Sequence, residues 1–235
     1  FEQSTIVKTK IRDVKKLISY CSGLWIEAIS KDYLYAPGGA VQLTAGVVNR
    51  SAFPLTLNKI VVKPSNKNIE VHQQLSENKF LSFETEIQID ANSIYSQPYW
   101  LNNKPGKGLF NFDDPKLLAH AENLPALSCD FYISNGTEEI TLNVPVLYRR
   151  TDPVEGEKYR AVEIVPPATI KFDDKLLIFS DSNRKEITIS VKTNFDGITG
   201  KLKFQIPDGW KVEPSEINFQ LAKKYDEEFF KIAIT

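Results

Sequence analysis

The chain has 235 residues, 42% hydrophobic and 25% charged, a composition that fits one large or two small globular domains. It excludes extended disorder, collagen-like repeats and disulfide-rich miniature folds. Its 29 basic and 30 acidic residues leave a formal charge of -1, so no global field draws it to nucleic acid or to an acidic membrane surface. With only two His and two Cys, a zinc site of three or four N/S ligands would be hard to assemble, and no cofactor is expected within this chain.

Methionine is absent altogether, so the sequence is read as a fragment of a longer polypeptide. No basic stretch followed by an apolar run marks a signal peptide, and no run of about 18 apolar residues could span a bilayer, so no membrane insertion is expected. Cys21 and Cys129 are read as free, buried thiols.

In chain order, apolar residues first recur at Val7, Ile11, Val14, Ile18, Cys21, Trp25 and Ala28, alternating steps of four and three. This spacing predicts an amphipathic helix over 7–29 within an element spanning 1–30. Gly23 would cost such a helix about 1 kcal/mol against alanine, so its stripe, Val7, Ile11, Val14, Ile18, Cys21 and Trp25, is expected to dock on a domain surface. After Pro37-Gly38-Gly39 the period falls to two, with Val41, Leu43, Ala45 and Val47 separated by polar residues. Strands are expected there and over 55–62, 69–72, 80–89, 93–101, 129–133 and 139–148, the last two joined by an Asn135-Gly136 hairpin turn.

The stretch 102–127 holds five Pro or Gly residues and no sustained period. It reads as a strap over a sheet edge, or else as a binding loop carrying Phe110, Phe112, Asp113, Asp114 and His120. Asp152-Pro153 and Pro166-Pro167 mark residues 151–166 as a linker between a first domain, 31–150, and a second, 167–235. The second shows further short alternating strands, among them 176–179, and a Trp210 expected to point inward as a core plug. The fold class is mainly β: an N-terminal amphipathic helix followed by two antiparallel immunoglobulin-like β-sandwich domains.

The sequence contains no phosphate-binding Gly-rich loop, Gly-x-Ser-x-Gly, His-Glu-x-x-His or Cys-x-x-Cys. Asp113-Asp114 and Asp173-Asp174 read as solvated turn charges, since neighbours on a strand face opposite ways. The acceptor patterns Asn49-Arg50-Ser51 and Asn135-Gly136-Thr137 are too short to mean glycosylation by themselves.

Four features form a further pattern: Cys21-Ser22-Gly23-Leu24-Trp25, Val48-Asn49-Arg50-Ser51, Gln97-Pro98-Tyr99-Trp100-Leu101, and the run Tyr148-Arg149-Arg150-Thr151-Asp152-Pro153-Val154-Glu155-Gly156-Glu157-Lys158-Tyr159-Arg160. Together they resemble the region downstream of the catalytic domain in large bacterial PIG-L (LmbE-like) family deacetylases. Ile206-Pro207-Asp208-Gly209-Trp210-Lys211-Val212-Glu213-Pro214 is similar to the immunoglobulin-like domain associated with α-galactosidases. The resemblance implies a parent zinc-dependent hydrolase acting on N-acetylglucosamine-type substrates, with its zinc in a missing catalytic domain held by a His-Pro-Asp-Asp type motif. That motif does not occur in these 235 residues, so no catalytic or metal-binding residue carries over. An extracytoplasmic setting, periplasmic or secreted, is implied as well. The expected function is a non-catalytic scaffold whose partner is the upstream catalytic domain. The alternative is a carbohydrate-binding region with a glycan partner.

Overall fold

The computed structural model describes residues 5–174, 176–179 and 183–235, so residues 1–4 of the expected 1–30 element lie outside the described residues. Helix α1 spans Thr5–Cys21 and stops short of the 29 expected from periodicity. Gly23 takes a left-handed φ of 67°, the conformation that ends helices at the lowest steric cost. The Ser22 N–H still donates to the Ile18 carbonyl at 2.9 Å and the Gly23 N–H to that of Tyr20 at 3.1 Å. The next residues form strand β1, Leu24–Ser30. Trp25 and Ala28 continue the helical spacing by coincidence, and pairing on both edges of β1 overrides it.

The first group of strands continues with β2 (Leu34–Tyr35), β3 (Ala40–Asn49), β4 (Thr56–Lys63), β5 (Lys67–Gln74), β6 (Phe80–Gln88), β7 (Ser128–Ser134), β8 (Glu139–Asp152), β9 (Gly156–Ala161) and β10 (Glu163–Ile164). Seven of these form a sheet in the order β5-β4-β7-β8-β1-β3-β6, with β9 also paired to β8. Strand β8 is the hinge of this arrangement. Residues 139–145 pair with β7, whereas 146–148 pair with β1, so one strand serves both halves of the sandwich. The changeover falls at Pro145, which has no N–H to give to a ladder; the Val146 N–H donates to the Leu127 carbonyl at 2.9 Å.

Between the halves lie Val41, Leu43, Ala45 and Val47 of β3 with Leu57, Ile60 and Val62 of β4, Phe131 and Ile133 of β7, and Val146 of β8. The alternation read in the sequence is therefore the inward face of β3. Pairing is antiparallel as expected, except that β1 with β8 and β2 with β10 run parallel. The expected Asn135-Gly136 turn joins β7 to β8. The Asn135 side-chain oxygen accepts from the N–H groups of Thr137 and Glu138 at 3.0 and 2.9 Å, and Gly136 has a φ of 92°.

Two expectations fail here. Residues 93–101 form no strand; they run irregularly into a 3-10 turn at Tyr99–Leu101, because Pro98 and the ring contacts of Tyr99 take over their packing. Residues 151–166 are not an extended linker. Strand β8 continues to Asp152, whose carboxylate accepts from the N–H groups of Val154 and Glu155 at 2.9 and 3.0 Å. With Gly156 at a φ of 79°, this is hairpin chemistry, and β9 folds back on β8.

The second group comprises β11 (Ala168–Phe172), β12 (Lys185–Thr193), β13 (Ile198–Lys203), β14 (Val212–Glu213), β15 (Glu216–Leu221) and β16 (Glu227–Ile234). They make a four-stranded sheet, β11-β12-β16-β14, and a two-stranded one, β13-β15. Ile187, Ile189, Val191, Leu202, Leu221 and Ile232 are its separate core. The expected strand at 176–179 does not form; Leu177 packs against this core from an irregular segment.

Gly200 lies under the ring of Phe219, where an added Cβ would sit 2.4 Å from a ring carbon. Gly200→Ala is expected to lower the stability of the second unit by about 1–3 kcal/mol, the range for overpacking. Denaturant unfolding should show that loss, and since Gly200 has no left-handed φ the loss would report the ring contact and not backbone strain.

Candidate functional site

The expected docking stripe divides in two. Val7, Ile11, Val14 and Ile18 line one side of an open apolar groove of about 470 Å³, with Ile140 of β8 across from them and Lys10 and Lys15 at its edge. These four side chains stay between 40 and 54% exposed. Cys21 is exposed at the end of α1, and Trp25 leaves the stripe for β1, where its ring lies 6.2 Å from Phe80 and 5.7 Å from the Arg50 guanidinium. Leu17 and Tyr20 add further exposed apolar surface.

The helix is nevertheless anchored at one end. The Ser19 hydroxyl donates to the Leu24 carbonyl at 3.2 Å, and the Ser51 hydroxyl donates to the Ser22 carbonyl at 2.7 Å. The Arg50 N–H donates to the Gly23 carbonyl at 2.9 Å. A face this apolar, held at its C-terminal end and largely open to water, is a surface suited to a partner.

Residues 102–127 do not converge on one centre. Phe112 meets Tyr99 edge to face at 5.8 Å, and Tyr99 meets Trp100 the same way at 4.9 Å, which makes a small aromatic core for the loop. Phe110 stays exposed. Asp113 accepts from the Asn103 side-chain amide at 3.1 Å, while the backbone carbonyl of Asp114 accepts from the Leu117 N–H in a 3-10 turn at Pro115–Ala119. His120 contributes its carbonyl, to the Tyr99 hydroxyl at 3.3 Å. The Asn49 acceptor pattern is structural: the side chain is buried and donates to the Phe53 carbonyl at 2.8 Å. Among the described residues no three His, Cys, Asp or Glu side chains are grouped to hold a metal.

Sequence reasoning missed a polar cluster that joins the two units. Lys224, in the turn before β16, reaches across to Asp32, with Nζ 2.7 Å from Oδ2, and donates to the Leu34 carbonyl. The Tyr225 hydroxyl donates to the same carboxylate oxygen at 2.6 Å, and the Tyr33 N–H to the other at 2.7 Å. The Lys224 ammonium sits 4.6 Å from the Tyr35 ring and 5.1 Å from that of Tyr225, close enough for cation–π attraction. Tyr225 holds a φ of 73°, a strained conformation for an aromatic residue. With a sequence separation of 192 between Lys224 and Asp32, no spacing rule could have paired them.

Burial alone would raise the Asp32 carboxyl, but hydrogen bonds from Lys224, Tyr225 and the Tyr33 backbone outweigh it and hold it below the ordinary range. Burial and the bond to Asp32 push the Tyr225 hydroxyl upward. Burial, reinforced by Asp130, also pushes the Cys129 thiol up to about 12, so this thiol stays protonated and inert. Cys129 is thus buried as expected, whereas Cys21 is not; both are free.

Trp210 differs from its expected role as a core plug. It is 41% exposed, because its partner is Phe179, edge to face at 4.8 Å, rather than the inner faces of the sheets. No family model matches the chain, and no curated protein matches it in sequence.

The pH dependence of the joint follows from the lowered Asp32 pKa. A depressed carboxylate contributes stability above its unfolded value, near about 3.9, and loses it as pH falls through the lower folded value. Small-angle scattering should find the two units in a constant arrangement from neutral pH down to about pH 5, loosening only in stronger acid. Asp32→Asn or Lys224→Met should loosen it at neutral pH. A variant with the parent's scattering profile would show that other contacts hold the joint.

Proposed function

We propose that this chain is a non-catalytic scaffold belonging to a larger PIG-L-like deacetylase, and that the face of α1 receives the catalytic domain of the same polypeptide. The observation that carries the reading is the open groove of Val7, Ile11, Val14 and Ile18, an apolar surface of a helix fixed to a sheet. An isolated helix of 17 residues is marginal in water, so a partner on this face would stabilise the helix as well as the assembly. The polar joint at Asp32 supports a role in holding position, since it couples the second unit to the first. On this reading the zinc and the hydrolysis of N-acetylglucosamine-type amides belong to the partner domain, and the setting is extracytoplasmic.

A carbohydrate-binding role is the second reading, favoured by the exposure of Trp210 and Phe110, since aromatic faces left open to water suit sugar stacking.

Val14 and Leu17 are both more than half exposed, so Val14→Asp with Leu17→Asp should leave the unfolding midpoint of the chain near that of the parent. The same pair should weaken binding of the deacetylase-like domain, titrated by calorimetry, at least tenfold, as expected when roughly 1.4 kcal/mol or more is lost from a packed contact. Undiminished binding by the variant would reject α1 as the docking face. Binding on a glycan array, lost in Trp210→Ala, would move the carbohydrate reading ahead.

A further inference from the structure

The outer face of the strands β6, β3, β1, β8 and β9 carries side chains that neither the groove of α1 nor the joint at Asp32 uses. Val41, Leu43, Ala45 and Val47 of β3 point into the core, so Gly46 and Val48 point outward. Their partners point outward with them: Glu27 and Trp25 of β1, and Ser82 and Phe80 of β6. The Phe80 ring does not stand off this face. It lies along the sheet over Gly46, where an added Cβ would meet a ring carbon at 2.7 Å, and it is still 50% exposed. A glycine inside a strand marks a place that something must approach closely, and here it is an aromatic ring. The Trp25 ring, 6.2 Å away and tilted by 49°, extends the aromatic surface.

Polar groups border the ring on its β1 side. Glu27 Cγ would lie 3.3 Å from the same added Cβ at Gly46, so the Glu27 side chain flanks Phe80. Its carboxylate accepts from Nη1 of Arg149 in β8, at 3.1 and 3.4 Å. Tyr159 of β9 shares a row with Arg149; it is 48% exposed and its hydroxyl donates to Glu157 at 2.8 Å. A guanidinium has five N–H donors and a carboxylate about four acceptor positions, whereas the contact between Glu27 and Arg149 uses one nitrogen. Donors and acceptors are therefore left side by side next to an open ring. The pair carries no net charge, so it does not select an ion. It suits neighbouring groups that both donate and accept, on a body with an apolar face. Adjacent hydroxyls on a pyranose ring have that chemistry, with the ring's C–H face against the aromatic.

We propose that the outer sheet face around Phe80 is a binding site for a neutral oligosaccharide. One pyranose ring stacks on Phe80, and its adjacent hydroxyls bridge Glu27 and Arg149. The site belongs to the first unit and does not depend on Trp210, nor on a domain docking against α1.

The 235-residue chain, applied to an array of neutral and acidic oligosaccharides, should bind neutral ones; the neutral oligosaccharide with the strongest signal is then titrated by calorimetry. Phe80→Ala and Glu27→Gln should each weaken that binding at least tenfold, while Trp210→Ala, and Val14→Asp with Leu17→Asp, should bind like the parent. Glu27→Gln keeps the shape of the side chain, so its effect reads recognition and not packing even where Phe80→Ala folds poorly. Trp25 gives a second readout. With Trp100→Phe and Trp210→Phe it is the one tryptophan left of three, and its emission should shift when the oligosaccharide is added, because its ring lies beside Phe80. Absence of any signal on neutral glycans would overturn the proposal, as would binding that Glu27→Gln leaves unchanged or that Trp210→Ala abolishes. A preference for acidic glycans would overturn it too, since a neutral ion pair gives a charged sugar no advantage.

Discussion

The left-handed turn at Gly23 is the constraint on which the arrangement of the first unit depends. A side chain there would be strained by the backbone and would also meet the Arg50 carbonyl carbon and Ser51 Cβ at 3.4 Å. With glycine, the chain leaves the helix within two residues and enters β1, the strand that bridges β3 on one side and β8 on the other. The two halves of the sandwich are joined through that pairing. The same turn fixes where α1 is attached, and so determines that its apolar face opens over Ile140 rather than closing on the core.

A second constraint acts at the other end of the first unit. Lys224 is an ammonium taken largely out of water, compensated by a carboxylate, a carbonyl and two aromatic faces. Such a group stabilises one relative placement of its surroundings more than it stabilises folding in general, because a misplaced arrangement leaves a charge without partners. The Tyr33-Tyr35 segment that receives it is held in turn by β10. The Thr193 hydroxyl and the Asn194 side-chain amide donate to the carbonyls of Pro167 and Pro166, which ties the passage between the units to the end of β12.

What the sequence disclosed follows from which forces are local. The alternation at Val41–Val47 and the Asn135-Gly136 turn depend on neighbours within a few residues, and both appear where they were expected. The helix overran its end because Cys21, Trp25 and Ala28 match a helical stripe as well as a strand; the deciding facts were the φ of Gly23 and the sheet partners of β1. The linker was misjudged because Asp152-Pro153 and Gly156 punctuate a hairpin as readily as a disordered joint. Trp210 was misplaced because its neighbour Phe179 is distant in sequence. For the site, the stripe Val7, Ile11, Val14 and Ile18 was legible from its period, whereas the Asp32 cluster was not, since it exists only through a contact across nearly the whole chain.

Helix α1 is anchored to the first sandwich at its C-terminal end, and the proposed role for its exposed apolar face is to receive a partner domain. Cys21 lies one helical turn beyond Ile18 at the border of that face and is exposed, while Cys129, buried with a raised pKa, stays silent. The rate of Cys21 alkylation should match that of an unhindered thiol in the 235-residue chain and fall at least tenfold when the proposed partner domain is joined to it. An equal rate in both would contradict docking on α1.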